Sequence, residues 1–212
     1  MPAARSDAEA EIRDPVVAML RRCRPEARII HEINIGGGVN RADVMAVSPA
    51  EIITVEIKSE KDKLDRLPDQ IATMRQCSHI TIAALHRKFM PDIGEHLICP
   101  RLDCLPHGVL TWWHPSARDM AEAQHPAFQW QAPDVRGSLG RTLPESALHL
   151  LWRAELLALC GDLRISTGKR PAMRDLVMAL RWQATGGDLT KGICRALRRR
   201  DPCAEADPPM ED

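Results

Sequence analysis

The chain has 212 residues, 44 % of them hydrophobic, with 29 Lys and Arg balanced by 29 Asp and Glu. That suffices for one ordinary domain with a small annex, and it excludes disordered and fibrous classes. No apolar run nears the ~20 residues that span a bilayer. The opening MPAARSDAEAEIRD carries no apolar stretch, so a secretory signal is not expected. Seven irregularly spaced cysteines suit a reduced, cytoplasmic protein better than a disulfide framework. Zero Tyr, two Phe and five Trp argue against a nucleic-acid binder built on an aromatic stacking platform, and give an RNA substrate little support.

Residues 7–24 read as a helix, with Ser6 or Asp7 as cap, an apolar stripe from Ile12 to Leu20, and Pro25 as stop. Pro15 inside that stripe predicts a kink or break near Asp14. Three strand-like runs follow, Arg28–Ile35, Arg41–Val47 and Ile52–Lys58, separated by Gly36-Gly37-Gly38 and by Ser48-Pro49-Ala50-Glu51. This is the pattern of an antiparallel meander. The glycine run lacks both phosphate-loop spacings and reads as a hairpin loop. A helical period then runs from Leu64 to Cys77 with Pro68 in its first part, and a buried strand is expected at His79–Leu85. A short helix at Asp92–Leu97 and a strand at Gly108–Trp113 come next. Strand, helix, strand implies a parallel crossover, so the expected class is α/β with a mixed sheet flanked by helices.

Residues 1–114 form the expected core and 115–143 a loop-rich connection. Residues 144–201 read as a basic helical unit with helices near 144–160, 171–184 and 188–200, Asp188 serving as a cap. Residues 202–212 read as a disordered acidic tail. Charge follows this division. Residues 1–160 carry 19 basic and 21 acidic side chains (net −2), 161–201 carry 10 and 4 (net +6), and the tail 0 and 4 (net −4). Neutrality is a cancellation, compatible with DNA contact by Lys191, Arg195, Arg198 and Arg199, alongside Arg174, Arg181 and Arg200. The tail is a candidate cover for that basic face. Cys99, Cys104, His107 and His114 match no strong zinc template.

The chemistry is concentrated between Asp43 and Gln70. Alternation along a strand puts Glu56 and Lys58 on one face and Ile57 on the other. A hairpin brings Asp43 toward Glu56, and two carboxylates that close call for a cation between them. Hard oxygen donors suit Mg²⁺. Asp43…Glu56-Ile57-Lys58 resembles the signature of the PD-(D/E)xK nuclease superfamily, and the run EIKSEKDKLDRLPDQ is similar to small bacterial and phage repair nucleases of the MmcB-like and resolvase-like branch. Ala42 stands where the name-giving proline would be. The resemblance implies a restriction-endonuclease-like fold and a Mg²⁺-dependent deoxyribonuclease, with Mn²⁺ as a substitute ion and a homodimer as a possible assembly. It implies Asp43, Glu56, the Ile57 carbonyl and Glu11 (with Glu9 second) at the metal, and Lys58 and Gln70 beside it. Lys61, Lys63 and Arg66 are placed to meet the DNA backbone. Glu32 is expected in a strand-edge charge pair. The alternative is an accessory protein that keeps the fold and binds DNA without cutting.

Overall fold

The computed structural model describes residues 7–89, 102–114, 140–201 and 205–210. The short helix expected at Asp92–Leu97, most of the 115–143 connection and Cys99 lie outside them. Helix α1 (Asp7–Cys23) leads into β1 (Arg28–Ile35), β2 (Asn40–Val47), β3 (Ile52–Lys58), α2 (Leu67–Arg75), β4 (Ile80–His86) and β5 (Leu110–His114). The strands form one sheet in the order β1-β2-β3-β4-β5, antiparallel through β3 and parallel from β3 to β5. Three C-terminal helices complete the fold: α3 (Arg153–Asp162), α4 (Met173–Gln183) and α5 (Gly186–Arg199). The α/β class is as expected. Among the described residues no helix is long and apolar enough to cross a membrane.

The sheet is buried on both faces, so β3 is buried along its length and apolar apart from Thr54, which meets the Ser78 hydroxyl at 2.9 Å, and the residues treated below. On one face α1 seats Ile12, Val16, Met19 and Leu20 against Ile29, Val44, Ala46, Ile53, Val55 and Ile82. That stripe extends on both sides of Pro15 and holds the halves of the helix in line. The helix therefore runs unbroken, where an unsupported proline would have interrupted it.

On the other face Leu67, Ile71 and Met74 of α2 share one core with Leu156, Leu176, Leu180, Ile193 and Leu197 of the C-terminal helices. The basic segment thus packs directly on the sheet. The helix expected at 144–160 is split into a 3-10 turn (Glu145–Leu150) and α3, because Leu151 and Trp152 are extended. Glu155 then accepts the Trp152 N–H at 2.7 Å and starts the next helix. Thr185 caps α5, its hydroxyl accepting from the Asp188 N–H at 3.2 Å, so the helix begins before Asp188.

The acidic tail departs from expectation. Residues 205–207 lie along the outer edge of β1: the His31 N–H donates to the Glu205 carbonyl at 2.8 Å and the Asp207 N–H to the Ile29 carbonyl at 2.9 Å, and beyond them the Met210 N–H donates to the Arg198 carbonyl at 2.9 Å. Asp207 also accepts from Arg21 at 2.6 Å and from the Ile29 N–H at 2.9 Å. Although burial alone would raise it, these donors hold the Asp207 carboxyl below its ordinary value. The tail docks because β1 is an edge strand with open backbone groups, a feature composition does not report.

Arg28 joins these parts. Its buried guanidinium donates to the carbonyls of Leu197, Arg198 and Arg200 at 2.8–3.0 Å and to that of Asp207 at 2.9 Å. It closes the C-terminal end of α5, whose last carbonyls have no partner within the helix. Arg28→Met should leave them bare and cost on the order of 3 kcal/mol. Urea unfolding monitored by circular dichroism measures this, and a loss below ~1 kcal/mol would show that water replaces the guanidinium.

Candidate active site

Strand β2 is the key to the site. Its ladder with β3 runs from Val47↔Ile52 to Val44↔Val55 and stops there, while β3 stays paired with β4 as far as Lys58↔Leu85. Its ladder with β1 is continuous except opposite Asp43, where Glu32 adopts a left-handed φ of 55°. Both ladders of β2 therefore open at Asp43. The Asp43 carboxylate accepts the Ile57 N–H at 2.7 Å, replacing the strand carbonyl that would otherwise have taken it.

Glu56 and Lys58 point toward α2, as alternation requires, and Ile57 joins the α1 core. Glu56 is 1 % exposed and Lys58 5 %. Lys58 Nζ donates to Glu56 Oε1 at 2.6 Å and to Gln70 Oε1 at 2.9 Å, and Gln70 Nε2 donates to Glu56 Oε1 at 2.5 Å. Gln70 reaches this triangle because it flanks the face of α2 that Leu67, Ile71 and Met74 anchor against the sheet. Between β3 and α2 the chain is pinned by Asp62, which accepts from the Ser59 N–H and hydroxyl at 2.8 and 2.6 Å. Lys61, Lys63 and Arg66 stand exposed along that loop.

One oxygen, Glu56 Oε2, is buried with no hydrogen-bond partner. A carboxylate oxygen taken out of water and left bare costs free energy, and a cation removes that cost. Burial, then the neighbouring Asp43 charge, pushes the Glu56 carboxyl up to about 7. Burial raises Asp43 to about 6 against the opposing pull of the Ile57 N–H and Arg13. The donor set is hard oxygen and fits a small divalent cation. Asp43 and Glu56 would hold it, with the carbonyl of Ile57, the residue after Glu56, as a third oxygen. Among the described residues no group of three or more His, Cys, Asp or Glu side chains is placed to hold a metal ion. An ion here would therefore keep several water or phosphate ligands, as Mg²⁺ does.

Glu11 is not brought to this place. It lies on the exposed side of α1, roughly 200° around the helix from Glu9. Its neighbour Arg13, 1 % exposed, faces the site instead. Arg13 donates to the Asp43 carbonyl at 2.5 Å, to Glu32 at 2.7 Å and to Glu9, and Glu32 in turn meets Arg41 at 2.7 Å. Glu9, the second candidate, is thus tied to the region through Arg13. Arg13 is the residue that sequence reasoning missed; a charge inside the apolar stripe of α1 was its signal.

The C-terminal basic residues also divide. Lys191 and Arg199 are exposed, but Arg195 pairs with Asp162 at 2.6 Å. Arg198 is 4 % exposed and donates to the Glu26 carbonyl at 3.0 Å, while Arg200 is buried against Glu155. Burial of these two side chains removes Arg198 from the expected DNA contacts and Arg200 from the expected basic face.

Residues 3–97 match the family model described as Bacteriophage P4 protein cII, a stretch shorter than half of the chain that holds Asp43, Glu56, Lys58 and Gln70. No curated protein and no solved structure matches the chain.

Both site carboxyls bind their protons more tightly folded than unfolded, so without divalent cation the fold should lose stability as pH rises from about 4 through 7. Thermal unfolding in EDTA across that range checks the slope, which Glu56→Gln should flatten. Mg²⁺ should raise the melting temperature more at pH 8 than at pH 5. Equal shifts at both would place the ion elsewhere.

Proposed function

We propose that the chain is a metal-dependent deoxyribonuclease that hydrolyses phosphodiester bonds. The observation that carries this reading is half-buried Asp43 beside buried Glu56, which has one bare oxygen, next to a lysine held by two fixed acceptors. A bound Mg²⁺ or Mn²⁺ would lower the pKa of a water ligand and neutralise charge developing on the phosphate. Asp43 and Glu56 supply the charge that retains such an ion. Lys58 uses two of its three N–H donors on Glu56 and Gln70, which leaves one to orient the attacking water or a phosphate oxygen. Gln70 fixes both partners in that geometry. The water oxygen attacks phosphorus in line with the departing ester oxygen, and positioning plus electrostatics carry the rate. Lys61, Lys63 and Arg66 hold the backbone through phosphate contacts, which position without reading sequence.

The setting fits DNA repair and recombination or the processing of mobile-element and phage DNA. The match to a family model named for a phage protein favours the latter. A second reading, a DNA-binding accessory protein without cleavage, draws on the near-complete burial of Glu56 and Lys58 and on the outward position of Glu11.

Purified protein with Mg²⁺ or Mn²⁺ should cut at least one of linear duplex, nicked, flapped, four-way-junction or single-stranded DNA. Glu56→Gln and Lys58→Met should each lower the rate by about 10²-fold or more while the circular dichroism spectrum stays unchanged. Cleavage that survives both substitutions sinks the assignment. DNA binding without cleavage, indifferent to metal and to Glu56→Gln, establishes the accessory reading.

A further inference from the structure

Helix α4 is amphipathic in an unusual way. Leu176, Val177 and Leu180 are buried in the core. Arg174, Asp175, Met178, Arg181 and Trp182 share the opposite face. Trp182 is 81 % exposed and Met178 39 %. An indole that far out of the core contributes almost nothing to the fold, and large exposed apolar groups on a packed domain mark contact surfaces. Lys169 and Arg170, also exposed, lie just before the helix. Arg181 meets Glu145 at 2.5 Å, but both side chains are about half exposed, and such pairs exchange partners at little cost.

Resting on the DNA reading above, we propose that this face of α4 holds a single-stranded segment of the substrate, an unpaired base stacking on Trp182 with its flanking phosphates on Arg174, Lys169 and Arg170. Two carboxylates lie on or beside the strip, but Asp175 accepts the Ala172 N–H at 2.9 Å and Glu145 faces Arg181, so Arg174, Lys169 and Arg170 leave the balance cationic beside one thioether and one indole. A complement that carries negative charge together with flat apolar faces fits it. Nucleic acid offers both, but a duplex hides its base faces in the stack, so the complement is a single strand, a flap or an unpaired end. The low aromatic content does not oppose this, because one ring on a charged strip is a single stacking post.

The test uses the full chain in EDTA, so neither metal nor cleavage enters. Anisotropy of a fluorescein-labelled 20-nucleotide single strand should show about tenfold weaker binding by Trp182→Ala, within the range for one stacked base. Trp182→Phe should keep most of the affinity, Arg174→Gln should weaken it, and a duplex of the same sequence should respond to Trp182→Ala by less than about twofold. Single-stranded DNA should quench tryptophan fluorescence in the wild type and much less in Trp182→Phe. Unchanged single-strand affinity in Trp182→Ala overturns the proposal, as does the absence of single-strand binding by the wild type. So does a dimer that becomes monomer on Trp182→Ala with DNA affinity intact, which would assign the strip to a second copy. Because Glu56 and metal play no part, failure here leaves the nuclease reading standing, and loss of that reading through absent cleavage leaves this binding result intact.

Discussion

Two carboxylates drawn out of water at the end of an interrupted strand ladder are the constraint around which this molecule is organised. Desolvation opposes ionisation of either group, and each group's charge opposes the other's. Donors answer on three sides: the Ile57 N–H on Asp43, and Lys58 and Gln70 on Glu56. They leave Glu56 Oε2 bare. The parallel pairing of β3 with β4 keeps the Glu-x-Lys segment rigid beyond the point where β2 departs, and α2 brings its amide across that same rigid strand.

Beside the two aliphatic cores, the polar ties between the layers are largely buried guanidinium groups. Arg13 joins α1 to β1 and β2, Arg24 joins the end of α1 to Glu51, and Arg28 joins β1 to the end of α5. Arg200 joins α5 to α3, and its guanidinium lies 4.4 Å from the ring of Trp152. A planar fork of donors suits this work, since one side chain satisfies several carbonyls or a whole carboxylate. Two of the ten positive charges in residues 161–201, Arg198 and Arg200, are therefore internal, and the surface left for an anionic partner is narrower than the net charge suggests.

What could be read from the chain alone was whatever depends on local period and punctuation. The meander, the crossover and the shared face of Glu56 and Lys58 follow from alternation, and the structure repeats them. What could not be read depends on how finished elements turn against each other. Which of Glu9, Glu11 and Arg13 looks inward is a question of helix phase, set by Ile12 and Val16 seating on the sheet. Arg198 is a surface residue by composition and a buried one by contact with Glu26. Pro15 is a breaker by local rule, overruled by packing on both sides of it.

The docking of residues 205–207 along β1 has one more consequence. The open amides and carbonyls of Ile29 and His31 at the edge of the sheet are covered by a later segment of the same chain. Shortening the protein at that end would do more than remove negative charge. It would uncover the backbone edge at Ile29–His31 for pairing with the same edge of another molecule, and concentration-dependent aggregation would follow.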